Sequence, residues 1–306
     1  MHNNPRSVKM HLQEEKVTVP STDKVELETR LYRGAGRKQT CVILTHPYGP
    51  LGGNFENNVV QALFDNFASQ GFMTVRFNFR GAGRSTGRTS FKGAGEADDV
   101  LSICRYVRGR PEIAPTHIIL CGYSYGSVAA GAITRQVPEL AGFISISYPR
   151  YIPMDSLLFL SGSRVLTCWS CDVAVLWFLT FFGSNKLKAQ LMEIPANLPK
   201  LFICGNRDNF TSEANFKKFV DELPNENKTV VVVNEATHFW NEMEQVLVAH
   251  VNQWMGRNGL NSKTGKSASA AALKVNPAVV ATSTVASKNS PTLSPASPWS
   301  AVEEDD

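Results

Sequence analysis

The sequence predicts an α/β protein with a mostly parallel central sheet and helices on both faces, and three observations carry that expectation. Short apolar runs alternate with helix-length amphipathic stretches from about residue 15 to 257. Runs such as Cys41-Val42-Ile43-Leu44-Thr45 are apolar throughout, as strands covered on both faces are. Only the first two runs, 17–19 and 25–31, alternate, which marks an antiparallel hairpin at a sheet edge.

Further strands are expected at 72–79, 117–121, 142–147, 201–204 and 230–233, with helices at 56–69, 95–108, 125–136, 212–222 and 240–255. Repeated βα units cross over with a right hand. Their strand C-terminal ends then share one rim, where sites form.

Outside this span the chain changes character. Residues 1–14 read as an N-terminal arm. Residues 258–306 are rich in Ser, Thr, Ala, Pro and Lys, end in Glu303-Glu304-Asp305-Asp306, and hold too few large apolar side chains to offset ordering entropy, so a disordered tail is expected. Ser290, Ser294 and Ser297 each precede proline there, as in proline-directed phosphorylation sites or as turn-prone dipeptides of a solvated linker.

Of the 306 residues, 43% are hydrophobic and 19% charged, with a net charge of +4, the balance of a soluble globular protein. No stretch clusters Lys and Arg beside stacking aromatics, so no nucleic-acid partner is expected. Cys41, Cys121 and Cys204 sit in apolar runs, where a thiol behaves as a small buried hydrophobe. The first residues contain no apolar signal-like core, and reduced thiols in the cytoplasm are the expectation.

Between residues 150 and 195 lies an insert too long for a simple crossover. Its middle, 165–182, is almost uniformly apolar. A transmembrane reading meets two objections: Asp172 lies mid-run, and spanning there would separate the last strands of the sheet from the first ones. A helical lid over the site, with Trp169, Trp177 and Phe178 lining an apolar substrate pocket, stands beside a plain buried helix. Contact of 165–182 with a membrane surface is a third reading. Cys168 and Cys171 lack a second ligand pair, which argues against a metal.

The chemistry centres on Gly122-Tyr123-Ser124-Tyr125-Gly126. Gly-x-Ser-x-Gly alone is a weak signal. Here the apolar run 117–121 precedes it, and Gly126, Ser127, Ala129, Ala130 and Gly131 follow, small residues that let a helix pack close to a sheet. Ser124 then sits on a sharp strand-to-helix turn at a helix N-terminus, where partial positive charge favours a developing anion.

A serine needs a base, and the base an orienting acid. Downstream of Ser124 only His238 and His250 remain; His238 follows the last strand, while His250 falls inside a helix. Asp208 directly follows the run 201–204 and is the candidate acid, with Asp172 and Glu235 as alternatives. The backbone N–H of Tyr125 and one donor from His46-Pro47-Tyr48-Gly49-Pro50-Leu51-Gly52-Gly53 would form the oxyanion hole. Pro47 and Pro50 have no N–H, which points to Tyr48, while His46 is expected to brace the loop.

His46-Pro47-Tyr48 with Gly52-Gly53, the stretch from Arg76 to Ser85, and Gly93-Ala94-Gly95-Glu96 together make the chain recognisable. Over about residues 15 to 257 it resembles a group of small α/β hydrolases, found in bacteria and, in longer form, in plants and other eukaryotes. That group is related to dienelactone hydrolases and to serine-aminopeptidase-like and acyl-peptidase-like branches. The stretch Gly205 to Ser212 looks like the acid loop of the eukaryotic members. The resemblance implies the α/β-hydrolase fold and the same triad. Most members of the group have no assigned substrate, and the long insert keeps their pocket shape from carrying over.

The expected reaction is hydrolysis of a carboxylic ester in a small acyl substrate, through an acyl-enzyme and with no metal or organic cofactor. Thioesters and peptides or amides stand behind it. The reading from another class is a non-catalytic scaffold acting by protein binding. A dinucleotide site at Gly81-Ala82-Gly83-Arg84-Ser85-Thr86-Gly87 is rejected because its third glycine is one place late, and no P-loop pattern occurs.

Overall fold

Strands β1 (Glu15–Pro20) and β2 (Glu26–Tyr32) pair as the antiparallel hairpin, and β2 pairs antiparallel with β4 (Met73–Phe77). The computed structural model describes residues 13–34, 40–90, 93–149, 190–223 and 227–261. From β4 onward the sheet is parallel, through β3 (Thr40–Thr45), β5 (His117–Tyr123), β6 (Leu140–Ile146), β7 (Lys200–Arg207) and β8 (Lys228–Thr237). The spatial order is β1-β2-β4-β3-β5-β6-β7-β8. The arm 1–12, the tail from 262, and residues 150–189 with Trp169, Asp172, Trp177 and Phe178 lie outside the described residues.

The uniformly apolar strands are explained by two cores, one on each face. Cys41, Ile43, Ile118 and Leu120 face the side covered by α2 (Ala94–Arg108), α3 (Tyr125–Gly131) and α4 (Glu213–Asp221). Their neighbours Val42, Leu44, Ile119 and Cys121 face α1 (Asn58–Ser69) and α5 (Glu244–Arg257). Burying each such aliphatic side chain stabilises the fold by about 1.5–3 kcal/mol. Asn57 caps α1 by accepting from Val59 N, and Ser212 caps α4 by accepting from Asn215 N.

Two helices differ from the sequence expectation. The helix after the elbow ends at Gly131, not 136, and a short 3₁₀ turn follows at Thr134–Gln136. Thr134 Oγ1 donates back to Gly131 O, a local bond that competes with helix continuation. The last helix begins at Glu244, not 240, because Trp240 and Glu242 hold φ of 56° and 65°, outside helical space.

Acidic residues in the first half of α2 are tied to the segment after β4. Asp99, fully buried, accepts from Arg80 N at 3.0 Å and from its guanidinium at 2.8 and 3.1 Å, and from Ser21 Oγ at 2.6 Å. Glu96, also buried, accepts from Ser90 N and Ser90 Oγ. These bonds fasten the glycine-rich segment after β4. Its Ser85 Oγ donates to Asn78 O and accepts from Glu28 N, so the segment is consumed by contacts within the protein rather than left to cradle a phosphate.

Among the described residues no helix is long and apolar enough to cross a membrane, and no cluster of His, Cys, Asp and Glu is suited to a metal ion. The C-terminal ends of β3, β5, β7 and β8 share one rim, and the loops after them carry Tyr48, Ser124, Asp208 and His238.

Candidate active site

Ser124 is where β5 turns into α3, and its backbone sits at φ 52° and ψ −125°. A left-handed φ is costly for a residue with a side chain, by about 1–3 kcal/mol, and persists only where surroundings over-determine it. The surroundings here are two close backbone approaches. A Cβ on Gly122 would lie 2.4 Å from Ser127 Cα, and one on Gly126 would lie 2.6 Å from Thr45 O. The glycines therefore make room for the turn, while the serine itself carries the strained angle. Ser124 N donates to Ile146 O at 2.8 Å, which fixes the turn against β6.

The residues expected to cooperate with Ser124 meet it in space. His238 Nε2 is 2.9 Å from Ser124 Oγ, and His238 Nδ1 is 2.8 and 3.0 Å from the two oxygens of Asp208. A carboxylate only accepts, so Nδ1 carries the proton and Nε2 presents its lone pair to the serine hydroxyl. All three side chains are almost wholly buried. Asp208 Oδ1 also accepts from Phe210 N at 2.8 Å and Thr211 N at 3.0 Å, so its carboxylate is held by its own loop. Phe210 stacks on the imidazole at 4.2 Å.

The alternatives are placed elsewhere. Glu235 turns to Arg207, in an exposed ion pair of 2.7 Å. His250 lies on α5, and burial lowers its pKa ahead of the nearby Arg257 charge. Asp172 falls outside the described residues, as do Trp169, Trp177 and Phe178.

Tyr48 and Tyr125 lie side by side, their rings edge-on at 5.2 Å. Among the described residues neither backbone N–H donates to another group. Behind them His46 is fully buried. Its Nδ1 donates to Pro47 O at 2.6 Å and its Nε2 accepts from Phe79 N at 2.9 Å, so it joins the loop after β3 to the end of β4. Burial lowers the His46 pKa to about 4, against a partial opposing effect of the Pro47 carbonyl.

That value fixes a pH dependence. In the unfolded chain His46 takes up its proton near pH 6.5, while the folded protein resists until about 4. Its contribution is complete above pH 6.5 and is lost as pH falls towards 4, by up to about 3 kcal/mol. Urea midpoints at pH 7 and pH 4.5 should therefore diverge more in the native protein than in His46→Gln, which keeps an acceptor but no titration. Equal slopes for the two would refute this account.

The fold has counterparts among known proteins. Residues 23–157 match the family model described as X-Pro dipeptidyl-peptidase (S15 family), a span of less than half the chain that ends before Asp208 and His238. No curated protein sequence matches. Solved structures match over most of the chain. An α/β serine hydrolase homologue from Coxiella burnetii is 24% identical, with 78% of this chain and 96% of that one covered and a TM-score of 0.60. This is the α/β-hydrolase fold.

An α/β serine hydrolase without lid from Xanthomonas campestris shares the hydrolase fold at 20% identity, covering 83% of this chain and 97% of its own, with a TM-score of 0.62. A Pyrococcus furiosus esterase does so at 17% identity, with 84% and 95% covered and a TM-score of 0.64. In the hydrolase fold of this chain, several residues around the site carried no role in the sequence reading. Tyr123 OH donates to His238 O at 2.8 Å, and Trp240 Nε1 donates to Ser147 Oγ at 3.0 Å. The amides that hold Asp208 were foreshadowed by Asp-x-Phe-Thr, since an aspartate in a turn accepts from the backbone two residues on. The other two contacts span 115 and 93 residues and leave no local pattern.

Proposed function

We propose that the protein is a serine hydrolase that cleaves carboxylic esters through an acyl-enzyme, with Ser124 as nucleophile, His238 as base and Asp208 as its orienting acid. The observation that carries this reading is the unbroken run of hydrogen bonds Ser124–His238–Asp208 at 2.9 and 2.8 Å in a buried setting. His238 Nε2 takes the proton of Ser124 Oγ as it attacks the ester carbonyl, and Asp208 stabilises the imidazolium that forms. The tetrahedral oxyanion is met by the amides of Tyr125 and Tyr48, both free of other acceptors among the described residues. His238 then returns the proton to the leaving alcohol, and water activated in the same way releases the acid. No step calls for a metal or an organic cofactor.

The likeness to the Pyrococcus furiosus esterase favours esters. Among the described residues the exposed large apolar side chains are Leu51 and Phe239, at 43% and 41%. They sit on the loops of Tyr48 and His238, and Asn58 Nδ2, at the start of α1, donates to Phe239 O at 3.0 Å. An apolar acyl or alcohol group suits such a rim. The S15 family match supports a second reading, hydrolysis of peptides or amides at the same serine. The free, buried state of Cys41, Cys104, Cys121 and Cys204 fits a reducing compartment such as the cytoplasm.

A fluorophosphonate probe and a series of p-nitrophenyl esters, run beside peptide p-nitroanilides, test this reading. Wild-type protein should label and turn over esters, and Ser124→Ala should do neither. Turnover of anilides alone would favour the peptidase. Folded wild-type protein that neither labels nor hydrolyses would leave the scaffold reading in its place.

A further inference from the structure

The imidazole of His238 is oriented from one side by Asp208, but its backbone belongs to a loop that has to be held as well. Three consecutive residues of that loop are each tied to a different element. His238 O accepts from Tyr123 OH at 2.8 Å, at the end of β5. Phe239 O accepts from Asn58 Nδ2 at 3.0 Å, at the start of α1. Trp240 Nε1 donates at 3.0 Å to Ser147 Oγ, one residue beyond β6. Trp240 and Ser147 are fully buried and hold φ of 56° and 48°, so the loop is kept in a conformation its own sequence does not favour.

Tyr123 is the tether nearest the chemistry. It is the residue immediately before Ser124, and its hydroxyl binds the backbone of the base, so a single side chain spans from the nucleophile's strand to the histidine's loop. Its ring also lies tilted against the imidazole, with centroids 5.8 Å apart. Burial, then the Asp208 charge, pushes the phenol pKa far above its ordinary value, which keeps it a donor at any working pH.

We propose that Tyr123 is a positioning residue, whose hydroxyl fixes the His238 main chain so that Nε2 stays within hydrogen-bond reach of Ser124 Oγ. The proposal rests on the serine-hydrolase reading above and deepens it. Removing the hydroxyl leaves His238 O unpartnered in a buried place and frees the loop to shift. A misplacement of about 1 Å at a reacting atom can cost about a hundredfold in rate.

The test is Tyr123→Phe, which keeps the ring and its packing on His238. Turnover of a small ester should fall roughly tenfold or more in kcat with KM within about twofold, since the buried hydroxyl is engaged by His238 O. The rate of fluorophosphonate labelling should fall in parallel, with only the modest loss of thermal stability that one unpartnered buried carbonyl brings. Rates within twofold of wild type would overturn the proposal. So would a loss in which KM rises in step with the fall in kcat, the mark of a merely structural contact. If Tyr123→Phe does not fold, Ser147→Ala tests the same loop by removing the acceptor of Trp240 Nε1, and should give the same split in smaller measure. Unchanged kcat there would count against the loop being held for catalysis. A wild-type protein inert to ester and probe would instead remove the hydrolase reading, and this one with it.

Discussion

Replacing His238, the proposed base, with alanine is expected to lower kcat for a small ester by about 10⁴–10⁶ with little change in KM, because a general base acts in the transition state and not in ground-state binding. Asp208→Asn should cost on the order of 10⁴, since an amide beside Nδ1 presents a donor where an acceptor is required and favours the wrong imidazole tautomer. The amides of Phe210 and Thr211 would still hold the side-chain oxygen in place, so that loss reports tautomer and charge more than geometry. Steady-state kinetics of both variants, with circular dichroism to show folding, provide the measurement. If His238→Ala kept more than about a hundredth of wild-type kcat, another group would be the base.

The largest loss of stability is expected at Arg80→Met. It removes the cation from beside Asp99, whose side chain has no solvent exposure, and leaves a buried carboxylate with only the Arg80 amide and Ser21 hydroxyl as donors. Breaking such a pair from one side costs about 3–5 kcal/mol. The urea midpoint should fall accordingly; a change under 1 kcal/mol would mean that solvent reaches Asp99. The effect should also reach the site. Arg80 follows Phe79, whose N–H is accepted by His46, which in turn holds Pro47 O beside Tyr48. Loosening the segment after β4 therefore loosens one proposed oxyanion donor.

Much of this molecule was legible in its residues, and the parts that were share a cause. Strands such as 41–45 and 117–121 announced themselves because both faces are buried and every position is apolar. Ser124, Asp208 and His238 each directly follow a strand, so the rule that sites form at strand C-terminal ends made them candidates, and chain order separated their expected roles. The structure places His238 between the other two, 2.9 Å from Ser124 Oγ and 2.8 Å from the Asp208 carboxylate.

What escaped was set by partners far along the chain. Nothing about Trp240 or Glu242 signals a positive φ, which glycine or asparagine usually occupies; the Ser147 contact and the packing of a whole indole impose it. Tyr123 stood in plain view within the elbow pattern, but its hydroxyl's partner lies 115 residues away. The partners of Glu96 and Asp99, Ser90 and Arg80, sit in an irregular segment with no period to read.

The tethers on 238–240 bear on how the chain comes to work at all. β5, β6 and α1 each hold one point of that loop, while β8, which leads into it, is the outermost strand of the parallel edge. A chain with a complete elbow but an undocked last strand would hold Ser124 in its turn without His238, the proposed base, beside it. On the proposed triad, activity would then wait on the docking of β8.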